Sequence, residues 1–232
     1  YEISSNFKLS SSTQYRYNSG LTKEYRDGRS WADDQDPFAG YLGNTNAYLG
    51  RSQSTGQNLL NNEILSFDEY FGRSTFNGQI GFEYQSQISD GFSASNTGLV
   101  NGISVLNATS GIPIVKGGLS EIYRLSYFSQ FNYSFDNKYF LTGSYRRDGS
   151  SKFGSANRYG NFYSGSAGWL VSREKFMKNM LKTISNLKLR VSHGVTGNDN
   201  FSNYSAVETF SLGSNYNFQA GAAPTQYANP NL

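Results

Sequence analysis

Apolar and polar residues alternate along several long stretches of the chain, most clearly at its start. In residues 1–17 the odd positions are apolar or neutral, whereas every even position is polar. A period of two predicts a β-strand with one apolar face and one polar face. This strand is about three times as long as the usual strand of a soluble protein, which has about five to six residues.

The same alternation predicts further strands and the connections between them. About seven strands result, because the pattern recurs over residues 74–88, 122–135, 139–148, 163–171 and 187–195 and, less regularly, over residues 58–70. Residues 71–73 and 136–138 predict tight turns. Long polar connections are predicted near residues 18–57, 90–121 and 198–232.

A helical period appears only in residues 172–188, SREKFMKNMLKTISNLK. The apolar positions from Phe176 to Ile184 recur at helical spacing, and Lys175, Lys178 and Lys182 lie at positions between or beside them. This predicts one short amphipathic helix that either covers an end of the sheet or docks against a partner.

Composition favours a membrane-facing sheet over a soluble sandwich. The chain has 18 Tyr, 17 Phe and 25 Gly, and long strands with an aromatic outer band are typical of outer-membrane barrels. Alternation alone does not exclude a soluble sheet that buries its apolar face. A net charge of +3 argues against a nucleic-acid-binding surface. The lack of cysteine and the single histidine exclude disulfides, thiol catalysis and multi-histidine metal sites.

The stretch RRDGSSKFG, residues 146–154, has the composition of a phosphate-binding loop without its order. The G-x-x-x-x-G-K-[ST] arrangement is missing, and no second carboxylate is identified with which Asp148 would form an acid–base pair. We therefore place Arg146 and Asp148 on the polar face of a strand, and we expect no catalytic residue and no enzymatic activity.

Two sets of residues in the long connections are candidate ligand sites. Asp33, Asp34 and Asp36 offer oxygen ligands for a hard cation such as Ca²⁺, although they do not follow the EF-hand pattern and equally suit a solvated acidic loop. No other cofactor is expected. The second set comprises aromatic residues that either stack on sugar rings or pack within their loops: Trp31, Tyr41, Tyr48, Tyr216 and Phe218.

The second half of the chain resembles a known family. YFSQFNYSFDNKYFLTGSYRRDGSSKFG, NRYGNFYSGSAGWLVSREKFMK, ISNLKLRVSHGVTGN and the closing NPNL are similar, in order and spacing, to the barrel of SusC/RagA-type TonB-dependent outer-membrane transporters. The resemblance covers residues 120–200 closely and residues 66–88 more loosely, while residues 1–57 match only in pattern.

The resemblance implies an all-β fold, an antiparallel transmembrane β-barrel of roughly 22 strands. Residues 1–232 would supply about seven of these strands, with the plug domain, signal peptide and C-terminal strands expected outside this chain. If the turn at 136–138 is periplasmic, strand alternation places the predicted helix at the periplasmic rim and all three long connections outside the cell.

The function implied by the resemblance is import of a glycan or peptide fragment across the outer membrane of a Gram-negative bacterium. A SusD-like surface lipoprotein, a TonB–ExbB–ExbD complex and outer-membrane lipid would be the partners. One alternative is a related barrel that serves as a structural subunit of an outer-membrane assembly or secretion complex. Another is a soluble all-β glycan-binding protein, such as a lectin or a glycan hydrolase.

Overall fold

The structure, a computed structural model, is dominated by one sheet whose strand order follows the chain. It describes residues 2–4, 6–26, 44–100, 103–178, 183–212, 217, 219, 221–229 and 231. The eight strands of this sheet are Glu2–Ser4 (β1), Phe7–Arg26 (β2), Asn44–Phe71 (β3), Ser74–Leu99 (β4), Ile114–Phe135 (β5), Tyr139–Ser150 (β6), Tyr159–Leu170 (β7) and Lys188–Gly194 (β8). Thr209–Leu212 (β9) and Ala222–Gln226 (β10) form a separate antiparallel pair.

The chain divides into two compact units. The first contains residues 1–14, 59–86 and 122–232, and the second contains residues 15–58 and 87–121. Strands β2 to β5 contribute residues to both. The second unit has a small apolar cluster of Ala47, Leu49 and Leu99, against which Leu106 packs. Among the described residues, no helix combines the length and the apolar character that a membrane-crossing helix needs.

In the first unit the apolar face of the sheet is the more exposed one. Tyr127, Leu141 and Tyr145 are 49%, 54% and 46% exposed. On the opposite face, Ser126 is only 4% exposed and Arg146 is half-buried. A soluble protein places its polar side chains in water and its apolar ones inside. The exposed apolar face of this unit therefore suits contact with non-aqueous surroundings.

The turn between β5 and β6 confirms the tight turn predicted at residues 136–138. Asp136 and Asn137 have positive φ angles of 55° and 50°, and the Lys138 amide donates to the Phe135 carbonyl over 3.0 Å. Positive φ at both central residues is the feature of a type I′ hairpin turn, and Asp and Asn adopt it more readily than most residues.

Charged side chains connect this turn to two neighbouring connections. The Arg73 guanidinium donates to the Asp136 carboxylate over 3.0 Å, and the Lys138 ammonium lies 3.2 Å from Asp136 and 3.6 Å from Glu174. The hydrogen bond from Arg73, followed by that from Lys138, lowers the pKa of the Asp136 carboxyl. The hydrogen bond that the Lys138 ammonium donates to Asp136 raises the pKa of Lys138.

The prediction of a single amphipathic helix over residues 172–188 is wrong for the residues that the structure describes there. Two 3₁₀ turns, Val171–Arg173 and Lys175–Met177, replace its first part. No helix occupies residues 183–187, whereas residues 179–182 lie outside the described part of the chain. The described part of the connection between β7 and β8 thus consists of a pair of single turns and, over residues 183–187, backbone without a helix or strand.

Tertiary contacts of Glu174 explain the interruption. Its backbone is extended, with φ −76° and ψ 150°, and its carboxylate accepts hydrogen bonds from the Tyr139 hydroxyl at 2.6 Å and the Trp169 indole at 3.3 Å. These contacts, with the Tyr139 hydroxyl the largest contributor, lower the pKa of the Glu174 carboxyl. Because so short a helix is marginal by itself, contacts to the strands outweigh the helical spacing of the apolar residues.

The long connections predicted from the sequence are shorter in the structure. Strand β2 continues to Arg26, β3 begins at Asn44, β4 continues to Leu99 and β5 begins at Ile114, so much of 18–57 and 90–121 is strand. The described part of 198–232 contains the β9–β10 pair. Residues 27–43, between β2 and β3, lie outside the described residues.

Candidate functional site

The polar face of the first unit holds a cavity of about 290 Å³. Strands β4 to β7 and the segment after β8 supply its walls, and five charged side chains line it: Glu83, Arg124, Arg146, Asp148 and Asp199. Alternation places Glu83, Arg124 and Arg146 on the same face of neighbouring strands. The cavity is therefore a product of the polar half of the period-two pattern.

Arg146 occupies the centre of the charged group. Its Nε donates to the Asp148 Oδ1 over 2.6 Å, and its Nη2 donates to the Glu83 Oε1 over 3.1 Å and to the Ser126 Oγ over 2.9 Å. The guanidinium also lies over the Phe128 ring, 5.6 Å from its centroid. One cation thus joins carboxylates from β4 and β6 to a buried hydroxyl on β5.

The second carboxylate near Asp148, which the sequence did not reveal, is Glu83. Both carboxylates bind the same guanidinium, and their side chains are 32% and 35% exposed. The sequence alone identified no such partner for Asp148, because the pairing depends on which strands become neighbours. The two groups nevertheless act as hydrogen-bond acceptors for Arg146, rather than as an acid–base pair placed on either side of a reacting bond.

A second arginine binds the segment that follows β8. The Arg124 Nε donates to the Asp199 Oδ2 over 2.9 Å, and its Nη1 donates to Gln85 over 3.4 Å. The Lys152 ammonium donates to the carbonyls of Asp199 and Phe201, each over 3.1 Å. Asp199 and Phe201 are consequently held against the cavity by two cations, one on β5 and one in the β6–β7 connection.

Glycines make room for an aromatic ring in the cavity wall. A Cβ atom added to Gly160 would lie 2.8 Å from the Phe162 ring, and one added to Gly197 would lie 2.3 Å from it. Both glycines line the cavity together with Phe162 and Phe153. The wall therefore combines charged hydrogen-bonding groups with aromatic surface, a combination suited to binding a ligand that has polar and apolar parts.

The lining of the cavity is made of charged, polar and aromatic side chains. Its described lining residues include neither histidine nor cysteine. Within the described part of the chain, no group of three or more His, Cys, Asp or Glu side chains is arranged to hold a metal ion. Guanidinium groups donate, and carboxylates accept, several hydrogen bonds each, which are the interactions that a polar ligand requires.

The aromatic and acidic candidates from the sequence are not brought into this cavity by the described structure. Tyr48 is half-buried in the second unit, where the Arg26 guanidinium lies 4.5 Å from its ring centroid. The remaining candidates lie outside the described residues: Trp31, Tyr41, Tyr216, Phe218, Asp33, Asp34 and Asp36. Their predicted roles stay predictions.

Sequence reasoning placed Arg146 and Asp148 on the polar face but missed three other charged residues of the cavity. Glu83 and Arg124 occupy polar positions of the alternating pattern in β4 and β5, which was a usable signal. Asp199 lies in a segment predicted as a long polar connection, and nothing in its sequence context indicates a partner 75 residues away.

Comparison with known proteins identifies relatives of the chain. No protein-family model matches it. It is 33% identical to TonB-dependent receptor P3 of Formosa agariphila over 157 residues, which cover 66% of this chain and 16% of that receptor. It is 45% identical to TonB-dependent receptor SusC of Bacteroides thetaiotaomicron over 76 residues, covering 33% of this chain and 8% of SusC.

Solved structures show the same fold. The structure of the RagAB peptide transporter matches 98% of this chain with a TM-score of 0.83 at 21% identity, and the match covers 25% of that transporter chain. The open-open state of the RagAB peptide importer matches 97% of this chain with a TM-score of 0.77.

This chain therefore spans only a small part of the length of its curated relatives, 16% of P3 and 8% of SusC. Those relatives are receptors, which agrees with the expectation that this chain is not an enzyme. Similar in sequence to P3 and SusC and in fold to RagAB, the chain is a segment of a SusC-type TonB-dependent receptor.

Proposed function

We propose that the whole protein imports a glycan or peptide fragment across the outer membrane of a Gram-negative bacterium, and that this chain forms part of its barrel wall. One observation carries the proposal: the sheet of the first unit has an exposed apolar face and, opposite it, a polar face with a ligand-sized cavity. A barrel strand that separates lipid from an aqueous interior has these two faces.

The names of related proteins support transport. SusC and P3 are TonB-dependent receptors, and RagAB is a peptide transporter. In the proposed mechanism a SusD-like surface lipoprotein captures the ligand and covers the barrel, and a TonB–ExbB–ExbD complex supplies energy from the inner membrane. The aromatic side chains of Trp31, Tyr41, Tyr48, Tyr216 and Phe218 would contact the ligand outside the barrel. Asp33, Asp34 and Asp36 would hold Ca²⁺ there.

The cavity gives this chain a direct part in transport. Its arginines and carboxylates are already paired with one another, so a passing ligand exchanges hydrogen bonds with them without having to neutralise an isolated charge. We infer that the cavity is a transient contact site along the import path, where binding is weak enough to permit release.

Uptake of a fluorescently labelled oligosaccharide or peptide by intact cells tests the proposal. Asn157 lines the cavity from the β6–β7 connection, whereas Ser155 is exposed in the same connection and does not line it. Because a bulky ring fills the cavity, we expect Asn157→Trp to slow uptake about tenfold, equivalent to about 1.4 kcal/mol. Ser155→Trp is the matched control and should leave uptake within about twofold.

Deletion of the energy-coupling complex separates import from a structural role. Loss of uptake in the deletion strain is the expected result. Uptake that continues at the wild-type rate without the coupling complex would overturn the import proposal, and a barrel that serves as a structural subunit would then explain the fold better.

A further inference from the structure

The exposed apolar face of the first unit contains an open groove of about 630 Å³ across strands β6, β7 and β8. Two rows of side chains, aligned by the strand register, form its walls and floor. The first row is Tyr139, Trp169 and Leu189, and the second is Leu141, Ala167 and Val191.

The groove continues along β6 and β7 as a depression without side chains, beside His193 of β8, which lies opposite Gly165. After the row that contains Ala167, Gly143 lies opposite Gly165, and a Cβ atom added to Gly143 would meet no atom within 4 Å. The next row, Tyr145 opposite Tyr163, restores large rings. From the row of Tyr139 to that of Tyr145 the strand rises about 20 Å.

Hydrogen bonds and ring contacts fix the shape of one end of the groove. The Tyr139 and Trp169 rings stack 6.5 Å apart at an angle of 13°, and both donate to the Glu174 carboxylate. The Phe176 and Trp169 rings are tilted by 65° to each other, with their centroids 6.4 Å apart. This end is therefore preformed, which lowers the entropic cost of binding an apolar ligand there.

Cations gather beside the same end. Arg173 is exposed, and its guanidinium donates to the Asn137 carbonyl over 3.3 Å, which places it next to the turn that leads into Tyr139. Most of the five N–H donors of a guanidinium remain for a ligand. In the described parts of the β3–β4, β5–β6 and β7–β8 connections, cations outnumber carboxylates: Arg73, Lys138, Arg173, Lys175 and Lys178 against Asp136 and Glu174.

We propose that the groove binds an acyl chain of one anionic phospholipid, whose phosphate is held by the Arg173 guanidinium. The proposal rests on the outer-membrane location proposed above. A guanidinium matches a phosphate in charge and geometry, and the groove offers hydrocarbon and aromatic surface for the chain. The groove is about 20 Å long along the strands. With a strand tilt of about 45°, it spans about 14 Å along the membrane normal, which is roughly one leaflet of a hydrocarbon core about 30 Å thick.

Native mass spectrometry of the full-length receptor in non-ionic detergent, titrated with phosphatidylglycerol, tests the site. We expect one retained lipid, and we expect Arg173→Glu to weaken its binding about tenfold because a charge-assisted contact becomes a repulsion. The matched control is Arg158→Glu, the same charge reversal at an exposed residue of the β6–β7 connection, and it should retain the lipid.

A second pair of variants tests the apolar part of the site. Ala167→Phe fills the floor of the groove and should abolish lipid retention, whereas Leu125→Phe enlarges a side chain on the same face of β5 and should not. Unchanged heat-modifiable migration of Ala167→Phe on a gel will show that it folds. Equal lipid retention by Arg173→Glu and Arg158→Glu, or by the two phenylalanine variants, would overturn the proposal, as would a protein found in the groove.

The lipid measurement does not depend on transport. If the wild-type receptor retains no phosphatidylglycerol but takes up its ligand normally, the lipid-site proposal is contradicted and the import proposal is not. If the receptor retains the lipid but uptake continues after deletion of the coupling complex, the import proposal is contradicted and the lipid-site proposal is not.

Discussion

The Arg146 guanidinium is the residue on which the polar cavity most depends. It contacts Glu83, Asp148 and the buried hydroxyl of Ser126, which belong to three different strands. All three charged side chains are about one-third exposed or more. Solvent therefore screens their attraction, and each ion pair by itself contributes at most about 1 kcal/mol. The shared cation matters more for placing the two carboxylates than for stability.

Arg146→Ala should lower the free energy of unfolding by about 1–2 kcal/mol. The change removes two partly exposed ion pairs and leaves the Ser126 hydroxyl without its donor. Urea unfolding of the receptor in detergent micelles measures the effect. Arg158→Ala, which removes the same side chain from an exposed connection, should stay within about 0.5 kcal/mol of wild type. Equal losses in the two variants would show that the shared contacts of Arg146 contribute nothing specific.

The cavity was only partly predictable because a period of two assigns faces but not partners. Arg146 and Asp148 are two residues apart on one strand, so their common face follows directly from the sequence. Their proximity to Glu83 depends on the register between strands, which a single sequence does not specify. The contact of Asp199 with Arg124 depends on the path of an irregular segment, and no local pattern encodes that path.

At the scale of elements, the β5–β6 hairpin shows how turn chemistry fixes a connection. Two consecutive residues with positive φ angles are tolerable because they are Asp136 and Asn137. The side chain of Asp136 is also held by Arg73 and Lys138. This turn was predictable from its residues, since Asp and Asn between two alternating segments are a local signal.

Substitution of Asn137 separates backbone strain from side-chain contacts. Asn137→Val places a β-branched residue in the left-handed region and should cost about 1–2 kcal/mol. Asn137→Gly relieves the same restriction and should be neutral within a few tenths of a kcal/mol. Thermal loss of the folded gel band compares the two. If the Asn137→Val and Asn137→Gly variants lose the folded band at the same temperature, residue 137 does not have the positive φ angle described for it.

The ends of the long strands could not be predicted from hydrophobic pattern. In the second unit, residues 15–58 and 87–121 include long stretches of β2, β3, β4 and β5. Residues 50–58, GRSQSTGQN, are polar or glycine throughout and so have no apolar face. Backbone hydrogen bonds hold such strands to their neighbours, and they require no alternation of side chains. Alternation in the sequence therefore indicates which part of each strand has an apolar face, but it does not indicate where the strand ends.

At the scale of the whole molecule, the orientation of the two faces can be measured directly. This segment contains no cysteine, so after removal of any cysteines elsewhere in the receptor, single nitroxide labels can be placed at will. Leu141→Cys and Thr142→Cys label adjacent residues on opposite faces of β6. In proteoliposomes we expect the label at 141 to collide more often with oxygen dissolved in the bilayer. Equal oxygen accessibility at the two positions would contradict a lipid-facing apolar surface.

The exposed apolar face also has an evolutionary consequence. Fluid hydrocarbon selects for an apolar side chain but not for a particular shape, because no tightly packed neighbour fixes its volume. Away from the groove and from residues bound to Glu174, exchanges among Phe, Tyr, Leu, Val and Ile on that face are therefore nearly neutral, and they are expected to accumulate in separate lineages. A fold built in this way retains its backbone while its sequence drifts, which agrees with a TM-score of 0.83 at 21% identity to the RagAB chain.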